Sequence, residues 1–307
     1  MSYSNSIIFG PIPSRRFGIS LGIDLSPAKK QCNFDCLYCE LEGAKTVDKM
    51  DEYPSVENII NEIKNSFETH PKIDVITLTA NGEPTLYPKL DELITEINKI
   101  KSNTKTLILS NGSTIYKKEI YDALLKIDIV KLSLDCISEK CFKKLDRVNN
   151  SVETQKIVPA MIDFSRQTKN DLVLEILFVK DLNDKIDEIE LLNKAINQIK
   201  PKRVDIGTID RPPAYQVKPV TYEFLEDVAS EFKNINVNIV YKNRPKSMQT
   251  YSEDEIIKML KRRPLTAEDI ENMFDEQSKE TLNDLIKSNI ITIVNSSGVE
   301  FYKNLLK

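Results

Sequence analysis

Imidazole is almost missing from this chain: 307 residues contain one histidine, His70, which falls on a predicted helix. A zinc site wanting four nitrogen or sulfur ligands therefore has little to draw on. No stretch approaches the roughly 20 apolar residues needed to span a bilayer, and the first ten residues show no cationic segment followed by an apolar run. A soluble, cytoplasmic protein that does not engage a membrane is the expectation. Charge of one sign is not in excess either. Lys and Arg number 43 against 47 Asp and Glu, a net of −4, which argues against a dedicated nucleic-acid binder while leaving room for a local basic stripe. Repeats and low-complexity stretches are absent, and five cysteines, three of them clustered, suit a reducing compartment.

The clustered thiols are Cys32, Cys36 and Cys39, in the order Cys-Asn-Phe-Asp-Cys-Leu-Tyr-Cys and spaced CxxxCxxC. Where disulfides are rare, a soft metal is their common partner. Three ligands fall one short of a structural zinc site, whereas a [4Fe–4S] cube held by three thiolates leaves one iron open to a substrate or cofactor. A zinc site or three ordinary core thiols are the competing readings.

Length and composition fit one large α/β domain with an appendage. β-Rich runs at 20–25, 74–80, 104–110, 129–135, 172–179 and 203–208 alternate with helical patterns at 55–68, 90–101, 116–126, 138–145, 151–168 and 186–199. Six βα units demand a parallel sheet with right-handed crossovers, able to curl into a partial barrel. Loops leaving the C-terminal ends of such strands build the active site. Here those loops carry the cysteines, Asn81-Gly82-Glu83-Pro84-Thr85, Ser110-Asn111-Gly112, Asp135, Lys180 with Asn183, and Asp210 with Arg211.

CxxxCxxC after a first strand, with a Gly-Glu turn after the second, resembles the radical S-adenosylmethionine (SAM) superfamily. The likeness runs from about Pro11 to Thr208. Pro13-Ser14-Arg15-Arg16-Phe17-Gly18 and Asn81-Gly82-Glu83-Pro84-Thr85-Leu86-Tyr87-Pro88 resemble a subgroup related to wyosine-tRNA-synthesising enzymes, without their flavodoxin-like domain or tRNA-binding extension. The resemblance implies a partial (β/α)6 radical SAM barrel, a [4Fe–4S] cluster on Cys32, Cys36 and Cys39, and SAM chelating the fourth iron before its reductive cleavage to a 5′-deoxyadenosyl radical. It also implies that Glu83 accepts from the SAM amino group. In the Asn81-Gly82-Glu83 turn, Asn81 replaces a family glycine as a residue that tolerates left-handed backbone. Ser133 and Asp135, two apart on one strand face, suit the ribose hydroxyls. Ser110 and Asn111 suit the methionine end or the ribose, and Tyr38 the adenine. Arg15, Arg16 and Arg211 suit either the SAM carboxylate, a substrate phosphate or structural ion pairs.

Cys136 and Cys141 are read as free buried thiols, with a redox or hydrogen-donor role as the minority alternative. The domain reading is 1–241 for the core, 242–251 for a linker with Arg244-Pro245-Lys246-Ser247, and 252–307 for a small domain. Helices at 253–262, from Thr266, and at 278–288, followed by a hairpin turning at Ser296-Ser297-Gly298, resemble a winged helix. Residues 252–307 hold eight Lys and Arg against eleven Asp and Glu, so protein docking or packing is favoured there over phosphate contact. The functional expectation is a SAM-cleaving enzyme that modifies an unidentified substrate, with a tRNA base as the leading class by resemblance. The alternatives are a peptide or protein substrate, or a non-catalytic metal-binding adaptor. A one-electron donor such as flavodoxin or ferredoxin is implied.

Overall fold

The β-branched runs become strands, and the computed structural model describes residues 7–14, 16–70, 72–240, 248–262, 264–296 and 299–305. Arg15, residues 242–247 of the expected linker and the Ser297-Gly298 turn lie outside them. β1 (Ile8–Ser14) pairs antiparallel with β2 (Gly18–Asp24). β3 (Val75–Thr79), β4 (Lys105–Ser110), β5 (Ile129–Ser133), β6 (Asp171–Phe178), β7 (Arg203–Thr208) and β8 (Val237–Ile239) then add in chain order, every pairing parallel. The six expected strands are all present. β1 is an addition to the expectation: its two prolines obscure a strand pattern, and they are tolerated because the strand lies at the sheet edge.

The crossovers are α1 (Val56–Thr69), α2 (Leu90–Ile100), α3 (Lys118–Leu124), α4 (Glu139–Cys141), α5 (Thr154–Gln167) and α6 (Ile186–Ile199), with α7 (Tyr222–Glu231) leading to β8. Ser55 caps α1 as expected, accepting from the Asn58 N–H at 3.2 Å. The helix expected over 138–145 is broken instead. α4 gives way to a π-helical turn, Phe142–Asp146, and Arg147 leaves it at φ 48°.

One sheet face carries Ile76, Leu78, Ile108, Val130, Leu132, Leu174 and Ile176, all buried in the main core with the helices. Alternate residues face the other way, as period two requires. Near the strand starts Val75, Leu107, Ile129 and Val173 close together over Phe17. In a flat sheet β2 and β7 would stand roughly 24 Å apart. Yet the Arg203 guanidinium lies 5.5 Å from the Phe17 ring, and Arg16 Nη1 reaches Asp205 Oδ2 at 2.6 Å and Glu175 Oε1 at 3.2 Å. The sheet therefore curls until the turn between β1 and β2 reaches side chains of β6 and β7 across the inner face.

That inner face holds a charge network. Lys131, 3% exposed, donates to Glu175 and lies 3.5 Å from Asp205 Oδ2, while Arg203 Nε donates to Asp205 Oδ1 at 2.8 Å. Burial works against each charge. For Glu175 it is outweighed by Lys131 and Arg16, and for Asp205 by Arg16 and Lys131, so both carboxyls sit below their ordinary values; Lys131 is left below its own.

The remaining elements are α8 (Glu253–Arg262), β9 (Leu265–Thr266), α9 (Ala267–Met273), α10 (Glu276–Lys287), β10 (Ile291–Ser296) and β11 (Val299–Asn304). The three strands form an antiparallel sheet in the order β10-β11-β9. Thr266 and Asp269 make the reciprocal capping pair that Thr266 promised. Ile256, Leu260, Leu265, Phe274 and Leu285 anchor a separate apolar core, and Ile12 of β1 packs against it.

Lys131 makes the shortest cation contact to Glu175, and removing a buried charge partner is destabilising. Lys131→Met should lower stability to chemical denaturation by about 3 kcal/mol. Lys118→Met, which removes an exposed pair with Asp122, should change it by under about 0.5 kcal/mol.

Candidate functional site

β2 ends in Asp24, and this one carboxylate ties two loops together. Its Oδ1 accepts from the Ser26 N–H at 2.8 Å, at the start of the cysteine loop, and from the Asn81 N–H at 2.7 Å, after β3. The loops then run side by side: Gln31 N–H donates to Asn81 O at 2.9 Å and Glu83 N–H to Gln31 O at 3.0 Å. Gly82 makes this possible, because a Cβ there would lie 1.9 Å from Gln31 O and its φ is +133°. The positive φ falls on Gly82 and not on Asn81, so the left-handed tolerance expected of Asn81 is not used. The Gln31 side chain is buried, donating to Ser26 Oγ and Glu52 O at 2.7 Å each and accepting from Asp51 N–H at 2.9 Å.

Glu83 points inward and is 1% exposed. Its Oε1 accepts from Thr85 N–H at 2.9 Å, Thr85 Oγ1 at 2.6 Å and Ser110 Oγ at 2.7 Å; Oε2 accepts from Asn111 N–H at 2.8 Å. Burial raises its pKa despite these donors. Capacity for a further donor is concentrated at Oε2. Ser110 and Asn111 are thus brought to Glu83 as well as to each other.

Cys32, Cys36 and Cys39 are all unbonded and half-buried. Phe34 N–H approaches Cys32 Sγ at 3.4 Å and Asn111 Nδ2 at 3.8 Å, while Lys30 Nζ lies 3.6 Å from Cys39 Sγ. Burial pushes the Cys32 thiol up to about 12 and Cys36 well above its ordinary value. Buried thiols of this kind ionise when a metal takes up their charge. Three free thiols on one loop, two of them with hydrogen-bond donors aimed at the sulfur, fit a three-thiolate cluster.

Two more segments brace the loop. Asp35 N–H donates to Asp146 O and Leu37 N–H to Leu145 O, at 3.0 and 2.9 Å, so the π-helical turn backs the cysteines. The Asp35 carboxylate meets Arg147 at 3.1 Å and Tyr215 Oη at 2.8 Å. Beyond β7, Ala214 N–H donates to Cys39 O at 2.8 Å. Arg211, 5% exposed, reaches Glu40 Oε2 at 3.4 Å; Glu40, Asp210 and Asp269 together outweigh burial and raise its pKa. Arg16 and Arg211 are therefore structural ion-pair residues.

Tyr38, Asn111, Ser133, Asp135 and Asp146 share the lining of a cavity of about 10 Å3, about the size of one water. Asp135 Oδ2 takes the Tyr38 hydroxyl and Oδ1 the Leu177 N–H at 2.6 Å. Tyr38 and Asp135 thus hold each other at one wall of that cavity. Ser133 is half-buried at the end of β5. Asn183 is a buried brace, donating to Asp135 O at 3.0 Å; Lys180 is exposed and His70 caps α1.

Cys136 and Cys141 correct the free-thiol expectation: they form a disulfide, with Cα atoms 5.4 Å apart. Glu188 accepts from Ser138 N–H at 3.0 Å, and Ser138 Oγ accepts from Cys141 N–H at 3.2 Å, folding the segment back on itself. Both sulfur residues belong to the main core.

A family model described as the radical SAM superfamily matches residues 29–193. The chain belongs to the radical SAM superfamily. It is 41% identical over 300 residues to a UPF0026 protein of Helicobacter pylori, covering 96% of this chain and 97% of that one. A radical SAM methyltransferase from Sphaerobacter thermophilus matches its fold with a TM-score of 0.57 at 13% identity, over 72% of this chain and 66% of the other. Streptococcus suis SuiB bound to S-adenosylmethionine gives 0.53 at 17% identity, over 69% and 49%. The structural likenesses speak to fold alone. Superfamily membership implies an enzyme that uses a [4Fe–4S] cluster and SAM, and the three-thiol loop of this radical SAM protein suits that requirement.

Sequence reasoning gave no individual role to Lys30, Gln31, Asn33, Asp35, Thr85, Asp146 and Tyr215. Asn33 Oδ1 accepts from Asn111 Nδ2 at 2.9 Å. The polar residues within and just before the cysteine motif were visible there; Asp146 and Tyr215 carry no local signal.

Two outcomes follow from this geometry. Gly82→Ala should cost about 2 kcal/mol of stability and lower the iron bound after reconstitution, read by denaturation and metal analysis. Burial raises the Asp135 pKa to about 7, above the roughly 4 of an unfolded chain. The folded state thus binds the proton more tightly, and this group's contribution is full below pH 4 and lost as pH rises to 7. Asp135→Asn should flatten that fall in a pH series of denaturation curves.

Proposed function

We propose that this protein cleaves SAM reductively at a [4Fe–4S] cluster held by Cys32, Cys36 and Cys39, and uses the radical so formed to modify a substrate. The observation that carries the reading is the pairing of the three-thiol loop, through Gln31, with the Asn81-Gly82-Glu83 turn. When bound, the cluster supplies one electron to the SAM sulfonium, releasing methionine and a 5′-deoxyadenosyl radical. The chain's own part is to place the ligand. Asn81, Gly82 and Glu83 would line the amino end of SAM, with Oε2 of Glu83 as the side-chain acceptor. Ser110 and Asn111 fix Glu83, and Asn111 also reaches towards Cys32. Ser133 would meet the ribose; Tyr38 and Asp135 would open their mutual hydrogen bond to form the adenosine wall.

The substrate reading is a tRNA base, supported by the resemblance of the Pro13–Gly18 and Asn81–Pro88 segments to wyosine-tRNA-synthesising enzymes. A peptide or protein substrate is the second reading, favoured by the acidic balance of residues 252–307, eight Lys and Arg against eleven Asp and Glu. On either reading those residues act as a winged-helix-like docking domain joined through 242–251 to the 1–241 core. An external one-electron donor of the flavodoxin or ferredoxin kind would reduce the cluster in the cytoplasm.

Anaerobic reconstitution with iron and sulfide tests the cofactor assignment. The wild type should bind about four irons with matching sulfide, and SAM should perturb the EPR spectrum of the reduced protein. Cys36→Ala should lose the [4Fe–4S] signal, and Glu83→Ala should keep it while weakening SAM binding at least tenfold. Stoichiometric zinc without sulfide would refute the reading.

A further inference from the structure

The cysteine loop carries a cation that the cofactor reading has not yet used. Lys30 stands two residues before Cys32, and its side chain is 9% exposed. Its Nζ donates to Glu42 O at 2.8 Å and lies 3.6 Å from Cys39 Sγ. Withdrawing an ammonium from water is costly unless its neighbours compensate. The Glu42 carbonyl returns part of that cost. The carboxylate that approaches it, Asp35 Oδ1, is 4.0 Å away and is shared with Arg147 at 3.1 Å and the Tyr215 hydroxyl at 2.8 Å. The Cys39 sulfur is thus nearer to the ammonium than that carboxylate is. Lys29, next along, turns outward to Asp51 at 2.8 Å and Glu52 at 3.6 Å.

We propose that Lys30 is the charge-compensating residue of the iron–sulfur site: its ammonium hydrogen-bonds the Cys39 thiolate and favours the reduced state. This rests on the cofactor reading above. One electron from the external donor adds one negative charge to the thiolate-bound group, and a cation beside a ligand sulfur stabilises the more negative state more. Hydrogen bonds to the sulfurs and net charge are the levers by which a protein sets such a potential. Cys32 receives neutral donors, Phe34 N–H and Asn111 Nδ2, and a charged donor is roughly twice as strong. Lys30 acts through Cys39 and is a positioning residue that touches no substrate.

The test is an EPR-monitored redox titration, with iron and sulfide analysis, of reconstituted full-length wild type, Lys30→Gln, Lys30→Arg and, as control, Lys29→Gln. Lys30→Gln should hold wild-type iron at a lower midpoint potential, so that at a fixed solution potential near the wild-type midpoint its reduced fraction falls severalfold. Lys30→Arg should reverse most of the shift, and Lys29→Gln should match the wild type. Equal potentials in all four proteins would overturn the assignment while leaving the cofactor reading intact. Should Lys30→Gln lose its cluster, Lys30→Arg decides: a cluster near the wild-type potential supports the assignment, and its loss there too overturns it. A wild type that binds no cluster would defeat the cofactor reading itself, and this one with it.

Discussion

Everything at the mouth of this barrel depends on two backbone hydrogen bonds, Gln31 to Asn81 and Glu83 to Gln31. They place the residue before Cys32 against the turn that carries Glu83, and they exist because residue 82 has no side chain. The contact is dry and committed on both sides. Gln31 is 1% exposed and spends its amide on Ser26, Asp51 and Glu52, while Glu83 spends its carboxylate on Thr85, Ser110 and Asn111. The cysteine loop is thereby treated as an extension of the sheet and not as a free connection, which is what preorganising three sulfurs requires.

The same economy governs the inner face of the sheet. Parallel strands normally fill a closed barrel with apolar layers. Here an apolar layer at the strand starts gives way to Lys131, Glu175 and Asp205, paired with Arg16 and Arg203. Arg16 reaches them from the chain between β1 and β2, so the ion pairs also register the edge hairpin against β6 and β7. At the level of this layer Leu109, the register partner of Lys131, is 38% exposed and Glu175 presents an accessible carboxylate edge. The C-terminal residues join the assembly at two points: Ile12 packs into their core, and Asp269 adds its field at Arg211, which in turn holds Glu40 just past Cys39.

The sequence was most legible where period and punctuation agree. The six parallel strands follow from β-branched runs, and Ser55 and Thr266 announced their helices through capping chemistry. Edge strand β1 was hidden by its prolines, and the split of the 138–145 helix by a π-helical turn that no propensity scale marks. At the site, motif residues were visible and their partners were not. Glu83 met Ser110 and Asn111 because all three follow strand ends. Tyr38 instead bonds Asp135, and Asp35 draws on Arg147 and Tyr215, remote positions that only the folded chain brings near. The left-handed backbone expected at Asn81 moved to Gly82 for a steric reason, the close approach of Gln31. Cys136 and Cys141 lie five apart on a turned-back segment; their pairing depends on that turn, which spacing alone does not disclose.

The central claim is that the loop of Cys32, Cys36 and Cys39 cleaves SAM homolytically. Its most direct test is to reduce the reconstituted protein with SAM present, under strict exclusion of oxygen, and to identify the nucleoside released. The account predicts 5′-deoxyadenosine and methionine in equal amounts, dependent on each of the three cysteines. Undiminished 5′-deoxyadenosine from a Cys36→Ala protein, or a cluster-loaded, SAM-bound and reduced wild type that leaves SAM intact, would contradict it.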